Sequence, residues 1–460
     1  MRRPVLFISA AFVALAVQPS FTQAPSAGRA GAPAAQTNPT QLGNDANGNP
    51  LRLATKTGHV SNYDESKVKP YTLPDPLVLA DGTRVTTADQ WTTERRPEIL
   101  KLYEDQIYGR VPDNAPTVTW TVADTDPRAR NGAAVMSHLV GRMGDKANAP
   151  LIHVTLYTPA GVTKPVPVIL LVNFGGGTPA RGAAPARGRA QQAAGRAGRA
   201  GRAGGAGRGG AAFGEPSNAA DILAHGWGYA TVGYQDIQPD RADAWTEGVI
   251  GQTLAPGQTQ PGPGEWGTIS AWAWGTSRII DYLAADRAID ASHIAVFGFS
   301  RLGKMVLWAA AQDPRISVVI SGCAGEMGSA LARRDWGETV DDMAQNFPWQ
   351  FAGNFQQWVG RWNDMPVDAH MLIALSAPRP VFITGGTTDQ WSDPKGEFLA
   401  EVAAGPVYRL LGKQDLGTTM FPPPDTPVMT GDLAFNEHTG PHQFTPTEWG
   451  LVVTFLERYF

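Results

Sequence analysis

The sequence predicts an α/β fold with a doubly wound, mostly parallel sheet that carries helices on both faces. The first observation is the run 166–173, VPVILLVN, which is apolar at nearly every position, as in a strand buried on both faces of a parallel sheet. The second is the alternation of such runs with helical segments. Further strands are predicted at 226–234, 291–298, 316–322 and 379–386, and helices at 268–285 and 303–312.

The third observation is a serine placed between a predicted strand and a predicted helix. Residues 298–304, GFSRLGK, follow the apolar run 293–297, and Ser300 stands at the turn. A nucleophilic serine of the α/β-hydrolase fold needs such a turn, because the turn exposes its hydroxyl at a helix N-terminus. The pattern departs from G-x-S-x-G, since glycine stands three residues after Ser300 instead of two. A serine that caps a helix is the alternative interpretation.

The N-terminus has the features of a secretory signal peptide. Arg2 and Arg3 precede an apolar run over 5–17 that is too short to span a bilayer, and the small residues around Ala24 fit a cleavage site. We therefore predict a signal peptide at 1–24, a secreted or periplasmic protein, and no membrane segment after cleavage. An uncleaved N-terminal anchor is the alternative.

Two segments lack the apolar residues that a core needs. Residues 25–65 are rich in Ala, Pro, Gly, Asn and Thr and are predicted to be a disordered tether. Residues 178–213 form an Arg/Gly/Ala tract, predicted to be a mobile surface insertion. The remainder, 66–460, is predicted to be one α/β-hydrolase domain that carries the chemistry. It is long enough to bury a core without disulfides, because Cys323 is the single cysteine.

The charge of the chain argues against nucleic-acid binding. The formal net charge is −4, from 38 basic and 42 acidic residues. Nine basic residues lie in the predicted signal peptide or in the Arg/Gly/Ala tract, so the body keeps 29 basic against 42 acidic residues, a net charge of −13. A body this acidic does not attract a phosphate backbone.

An acid and a base follow the serine in the chain order that hydrolases of this fold use. Asp389 lies in the loop directly after the predicted buried strand 380–386, and His442 lies just before the final helix, which begins at Pro446. In the predicted mechanism His442 takes the proton of Ser300, and Asp389 holds the imidazole in the required tautomer.

Both assignments have a competitor nearby in the chain. His438 could replace His442 as the base, but its loop offers no sheet-anchored reason to prefer it. Asp393 could replace Asp389 as the acid, but the proline that follows, Pro394, indicates a helix cap.

Five short motifs point to one known family. They are GFSRLGK (298–304), SAWAWG (270–275), RRDWGETV (333–340), NFPW (346–349) and TDQWSDP (388–394). Together they resemble the glucuronoyl esterases, carbohydrate esterase family fifteen. The resemblance runs from about residue 70 to the C-terminus and is interrupted by the Arg/Gly/Ala tract. The Ser-Arg-x-Gly-Lys element is its most specific part, and it accounts for the departure from G-x-S-x-G.

This resemblance implies a substrate and the residues that bind it. The substrate would be an ester between 4-O-methyl-glucuronic acid of xylan and a lignin alcohol, so the partners would be glucuronoxylan and lignin–carbohydrate esters. Arg301 would place its guanidinium beside the developing oxyanion. Lys304 would reach the sugar hydroxyls, and Glu338 would accept hydrogen bonds from them. Trp391 and Trp349 would line the pocket.

Most of these side chains also have a purely structural interpretation. Arg301 and Lys304 could form a solvated first helical turn, although two cations oppose the helix dipole there. Glu338 could pair on the surface with one of the arginines at 333–334. Trp391 could belong to the core.

One position departs from the family pattern. Many members place a catalytic Glu in the loop after the strand that follows the serine turn, and Cys323 stands at that point in this chain. A thiol cannot orient an imidazole as a carboxylate does. The resemblance therefore leaves Asp389 as the acid, with Glu326 as the nearby alternative. Cys323 itself is expected to be a small buried residue.

Three functions remain open from the sequence. The main prediction is a secreted serine esterase that cleaves glucuronoyl esters through an acyl-enzyme. The alternatives are an acetyl-xylan or other carbohydrate esterase, and a catalytically silent carbohydrate-binding relative. No cofactor or metal is predicted, because the histidines are scattered and the chain has no H-E-x-x-H motif. We expect a monomer.

Overall fold

The structure, a computed structural model, describes residues 40–175 and 215–460. The predicted signal peptide, the first part of the predicted tether and the whole Arg/Gly/Ala tract lie outside the described residues. Within the described ranges, no helix combines the length and the apolar character that a membrane crossing requires.

A small antiparallel sheet of three strands opens the described chain. It falls in the same unit as everything that follows, so the prediction that 25–65 is a disordered tether is wrong from residue 40 onward. Polar contacts hold the sheet in place, such as the bond from Thr55 N to Gln345 Oε1 at 2.8 Å. Contacts of this kind leave no hydrophobic periodicity in the sequence. The strands are β1 (Gln41–Asn44), β2 (Pro50–Ala54) and β3 (His59–Val60).

A mixed sheet of nine strands forms the centre of the fold. Its spatial order is β12-β11-β10-β9-β7-β8-β6-β5-β4, in which the first six strands are parallel and the last three antiparallel. The strands are β4 (Val118–Ala129), β5 (Ala134–Met143), β6 (Leu151–Pro159), β7 (Val166–Asn173), β8 (Gly228–Gly233), β9 (Ile289–Phe299), β10 (Ile316–Gly322), β11 (Val381–Gly386) and β12 (Leu433–His438).

From β7 onward helices alternate with strands in the chain, as the pattern predicted, while two helices precede β4 and one follows β12. The helices are α1 (Ala88–Gln90), α2 (Arg96–Tyr103), α3 (Ala219–Ala224), α4 (Tyr234–Ile237), α5 (Ile250–Thr253), α6 (Thr268–Ala285), α7 (Arg301–Gln312), α8 (Val340–Asn346), α9 (Ala369–Ala374), α10 (Pro394–Leu410) and α11 (Pro446–Leu456).

The strand β7 shows that both faces of the sheet are covered. Val168 and Leu170 belong to one apolar cluster, together with α6 and α7, whereas Ile169 and Leu171 belong to a second cluster, with α3 and α11. Successive side chains of a strand point to opposite faces, so each cluster fills one side. The predicted α/β-hydrolase fold, with a mostly parallel sheet between two helical layers, is therefore confirmed.

The carboxyl ends of the parallel strands carry the predicted catalytic residues. Ser300 follows β9, Cys323 follows β10, Asp389 lies in the loop after β11, and His442 lies in the loop after β12. Parallel strands present these ends at one edge of the sheet, which is where α/β folds place their sites.

Candidate active site

Ser300 occupies a strained turn between β9 and α7. Its φ and ψ are 58° and −129°, a region that residues other than glycine rarely adopt. Its backbone N–H donates to the carbonyl of Gly322 at 2.7 Å, and its carbonyl accepts from Gly303 N at 2.8 Å. The first bond ties the turn to the last residue of the neighbouring strand β10, and the second closes the turn itself. Together they hold the geometry that a nucleophilic serine of this fold requires.

Two glycines allow this turn, and they explain the unusual spacing of the motif. A Cβ on Gly298 would lie 2.1 Å from the carbonyl oxygen of Leu302. A Cβ on Gly303 would lie 2.9 Å from both Ala324 Cβ and Ser321 Oγ. The close approaches thus fall at 298 and 303, so glycine is needed three residues after the serine.

His442 and Asp389 form a hydrogen-bonded pair. Asp389 Oδ2 lies 2.6 Å from His442 Nδ1, and since a carboxylate only accepts, Nδ1 carries the proton. This bond leaves Nε2 as the nitrogen that can receive a proton from a hydroxyl. Asp389 is buried, with 6 % of its side chain exposed, whereas the side chain of His442 is 39 % exposed. The pair therefore combines a fixed acid with a base that solvent and substrate can reach.

An aromatic contact brings His442 beside the serine turn. The ring of Phe299, the residue before Ser300, lies 4.6 Å from the imidazole ring, measured between centroids. The sequence-predicted serine, acid and base therefore meet at one edge of the sheet.

Cys323 lies next to this pair and is buried, with 1 % of its surface exposed. Burial, assisted by the negative charge of Asp389, raises the pKa of its thiol well above the usual range, so the sulfur stays protonated. Its Sγ lies 3.7 Å from the carbonyl oxygen of Gln443, in the loop of His442. A protonated, buried thiol packs against the site and does not act as a nucleophile.

Glu326, the alternative acid, lies in a different environment. It is 4 % exposed, and burial raises its pKa well above the usual range, with Asp368 adding to the rise and Lys304 opposing it. Its Oε1 has no hydrogen-bond partner among the described residues. The carboxylate that binds His442 is that of Asp389.

The site also brings together side chains of types that bind metals. Ligand-type atoms of Cys323, Asp389 and His442 lie within 4.8 Å of one another. The contact between Asp389 and His442 is a hydrogen bond, however, and the thiol is protonated. The residues present therefore fit a proton-transfer pair better than a metal site.

Arg301, the residue after the serine, is held by an aspartate that sequence analysis missed. Its guanidinium forms an ion pair with Asp240, whose side chain is 4 % exposed. It also lies 5.3 Å from the ring centroid of Phe347. Asp240 follows β8 at the carboxyl edge of the sheet, and that position was the signal that could have identified it.

Asp240 also accepts hydrogen bonds from two further side chains near Arg301. Its Oδ1 accepts from Trp349 Nε1 at 2.7 Å and from Gln350 Nε2 at 2.9 Å. Trp349, predicted to line the pocket, is thus tied to the same carboxylate as Arg301. This network fixes the direction of the guanidinium.

Lys304 and Glu338 are a buried pair of opposite charge. Lys304 Nζ lies 3.8 Å from Glu338 Oε2, and the two residues are 4 % and 8 % exposed. Burial lowers the pKa of Lys304 and raises the pKa of Glu338, while each group's charge opposes the shift of the other. A solvated first helical turn is therefore excluded for Lys304. The arginines at 333–334 pair with carboxylates other than Glu338.

Trp391 is partly buried beside this pair. Its carbonyl accepts from Glu338 N at 2.9 Å. The guanidinium of Arg52, from β2, lies 5.0 Å from the centroid of its ring. Trp391 therefore packs against one side chain of the N-terminal sheet and is only partly buried, so it is not a core residue. The neighbouring Asp393 caps α10 through Gly396 N at 3.0 Å, as predicted.

Fold and site together define a hydrolase class. A nine-stranded α/β-hydrolase sheet carries a serine on a strained turn, with a hydrogen-bonded Asp–His pair and an arginine beside it. This is an ester hydrolase of the α/β-hydrolase fold. The family within that class follows from comparison with known proteins.

A family model described as "Glucuronyl esterase, fungi" matches residues 262–412. The carbohydrate esterase MZ0003, from an unknown prokaryotic organism, is 39 % identical over 399 residues, which cover 86 % of this chain and 92 % of that protein. The chain belongs to the glucuronoyl esterases, carbohydrate esterase family 15, and the predicted resemblance is confirmed.

Solved structures agree with this assignment. A glucuronoyl esterase from Solibacter usitatus superposes with a TM-score of 0.75 at 39 % identity, covering 85 % of this chain and 99 % of that one. A glucuronoyl esterase of the same family from Teredinibacter turnerae gives a TM-score of 0.73 at 33 % identity, covering 86 % and 92 %.

Proposed function

We propose that this protein is a secreted serine esterase that hydrolyses esters between 4-O-methyl-glucuronic acid of xylan and lignin alcohols. The observation that carries the proposal is the Asp389–His442 pair beside the Ser300 turn. A relative from Schizophyllum commune named 4-O-methyl-glucuronoyl methylesterase, 26 % identical over 77 % of this chain, supports the substrate class.

In the proposed reaction Ser300 Oγ attacks the ester carbonyl carbon while its proton passes to His442 Nε2. The negative charge that develops on the carbonyl oxygen faces the Arg301 guanidinium, which Asp240 holds in place beforehand. The imidazolium then gives its proton to the departing alcohol, and a glucuronoyl-serine ester remains. Water, activated by His442, releases the glucuronic acid and restores the serine.

Recognition of the sugar acid is assigned to the side chains around the buried ion pair. Lys304 offers hydrogen-bond donors and Glu338 offers acceptors to the sugar hydroxyls, which is the complement a polyhydroxylated ring needs. Trp391 and Trp349 add aromatic surface at the edge of this sugar-binding site. A small acyl group such as acetate would use none of these groups, which makes the acetyl-xylan esterase the weaker candidate.

The test compares benzyl glucuronate with an aryl acetate. Wild type should hydrolyse benzyl glucuronate, and Ser300→Ala should lower kcat by on the order of 10⁴ or more. Glu338→Gln should weaken the use of benzyl glucuronate and leave aryl acetate hydrolysis within a few-fold. Preference for the acetate in wild type would favour the acetyl esterase, and no hydrolysis of either would favour the silent relative.

The compartment, partners and assembly belong to the same proposal. Cleavage after residue 24 would release a protein outside the cytoplasm, where glucuronoxylan and lignin–carbohydrate esters occur. N-terminal sequencing of the exported protein tests the cleavage, and light scattering tests the expected monomer. Retention of residues 1–24 would contradict export by a cleaved signal peptide.

A further inference from the structure

His438 ends β12 and begins the loop that carries His442, and it is 3 % exposed. Its ring is bound on both sides. Nδ1 lies 2.8 Å from Glu448 Oε1, and Nε2 lies 2.9 Å from the carbonyl oxygen of Pro441. A carbonyl and a carboxylate accept hydrogen bonds, so each ring nitrogen must carry a proton. This is the arrangement of a buried imidazolium.

Glu448 binds both ends of the loop that carries His442. It is fully buried at the start of α11. Its Oε1 faces His438, while its Oε2 accepts from Thr445 N at 2.7 Å. Thr445 Oγ1 in turn accepts from Glu448 N at 3.1 Å, which completes a capping box. The Glu448 carboxylate thus joins His438, where the loop begins, to Thr445, where it ends.

His438 reaches the middle of the same loop through Pro441, the residue directly before His442. We propose that His438 is a positioning residue, which as an imidazolium holds Pro441 and so keeps His442 within reach of Asp389. The proposal rests on the proposed role of His442 as the base. His438 does not touch the reacting atoms and acts only through the loop.

The charges around His438 favour the protonated ring. Burial alone lowers its pKa, but the hydrogen bond and the charge of Glu448 raise it, as do the carbonyl of Pro441 and the charge of Asp389, and the net shift is upward from 6.5. The direction of the shift therefore agrees with the two acceptors that face the ring.

Two more carboxylates face this end of the loop. Asp425 accepts from Thr439 N at 3.0 Å and remains exposed to solvent. Glu437 precedes His438 in β12, and burial raises its pKa to about 7, with the charge of His438 opposing the rise. Because Glu437 also titrates near neutrality, any test of His438 needs a variant of Glu437 as its control.

Loss of the proton would weaken the loop. A neutral ring has one N–H and can serve only one of its two acceptors, so the other acceptor would face a ring lone pair. Because the folded-state pKa is raised, the stabilisation is present at low pH and is lost as pH rises through that pKa. We expect kcat to fall with this loss while KM changes little, because misplacing the base affects the transition state more than substrate binding.

The direct test is ¹⁵N NMR of the histidine side chains in the wild-type protein. The signals of His438 are assigned by their shift in Glu448→Gln. Both ring nitrogens should carry protons at pH 7. A neutral His438 at pH 7 would overturn the proposal. This measurement uses no substrate, so it is independent of whether the proposed esterase activity is correct.

The kinetic test uses two variants and one control. His438→Gln should lower kcat on benzyl glucuronate by on the order of 10²-fold with KM nearly unchanged. Glu448→Gln keeps the shape of the side chain but removes the charge and replaces one of the two acceptor oxygens with an NH2 donor. Both changes disfavour the imidazolium, so the alkaline decline in kcat should begin at lower pH than in wild type. Glu437→Gln removes a charge that interacts with His438 but is not bound to its ring, so it should shift the profile less than Glu448→Gln does. If kcat of Glu448→Gln declines at the same alkaline pH as that of wild type, the proposal is contradicted. This measurement remains informative even if His438→Gln does not fold.

The two tests can also give different results. If the wild-type protein does not hydrolyse benzyl glucuronate but its His438 carries both protons, the proposed function is contradicted and the buried imidazolium is not.

Discussion

His442 Nδ1 lies 2.6 Å from Asp389 Oδ2, although 53 positions separate the two residues in the chain. The pairing of β11 with β12 brings their loops side by side, and Thr388 N donates to the carbonyl of Gly440 at 2.9 Å between them. The acid and the base are therefore aligned by the sheet edge, which makes the pair sensitive to changes in either loop.

Asp389→Asn should lower kcat on benzyl glucuronate by on the order of 10⁴, because an amide leaves the imidazole in the wrong tautomer for accepting the serine proton. The stability of the fold should change much less, since the substitution keeps the size of the side chain. Steady-state kinetics combined with thermal unfolding measures both effects.

Glu326→Gln is the matched control for Asp389. Glu326 is buried, and its raised pKa means that a neutral amide resembles the group already present. We expect kcat to stay within a few-fold of wild type. A crippled Glu326→Gln beside a nearly intact Asp389→Asn would reverse the assignment of the acid.

Asp240→Asn should lower kcat by about 10- to 100-fold, because Arg301 would lose the carboxylate that aims it at the oxyanion. The exposed Asp243, which pairs with Arg241 in the same loop, provides a control. Asp243→Asn should leave kcat unchanged. Equal kinetics for the two variants would show that Arg301 does not depend on Asp240.

Glu397→Gln should make the protein more stable at alkaline pH. Glu397 is fully buried in α10, where it accepts from Gly325 N at 2.9 Å and from Ser329 Oγ at 2.7 Å. Burial, opposed by these two bonds and assisted by the charge of Asp389, raises its pKa to about 8 from 4.5. Between these two pH values the folded state holds a proton that the unfolded state has lost, so stability falls as pH rises.

A glutamine at 397 copies the protonated acid and removes this loss. The Tm of the variant should exceed that of wild type above pH 8, and the difference should vanish near pH 4.5. Glu94→Gln, at an exposed position, is the control and should follow wild type at every pH. A Tm difference that is constant across the pH range would show that the proton of Glu397 is not responsible.

Deletion of residues 180–212 should leave benzyl glucuronate turnover within a few-fold of wild type. The segment lacks the apolar residues that offset the entropy of ordering a chain. Kinetics and thermal unfolding of the shortened protein provide the measurement. An inactive or unfolded product would show that the tract contributes to the site or to the fold.

The sequence was most informative where chemistry depends on local geometry. The run 166–173 predicted a strand buried on both faces, and β7 occupies that range with its side chains divided between two cores. The glycines around Ser300 predicted a tight turn, and Cβ atoms at 298 and 303 would clash there. Hydrophobic periodicity and the steric need for glycine both depend on residues that are neighbours in the chain, so the sequence reveals them.

Other features could not be read from neighbouring residues. The strands at 41–60 are held by polar contacts with distant parts of the chain, such as Gln345 in α8, and Asp240 meets Arg301 across 61 positions of the chain. From the sequence His438 is only a competitor of His442, because no neighbouring residue indicates that it ends a strand and binds Glu448.

The amino-acid sequence by itself thus determined the fold, the serine turn and the family of this protein, because strand burial, glycine requirements and contiguous motifs are local properties of a chain. The tertiary structure alone decided that Arg52 packs over the ring of Trp391, that Asp240 holds Arg301, and that His438 is bound on both sides. These are contacts between residues far apart in sequence or in separate loops, and their energies depend on distances and burial that exist only once the sheet has formed.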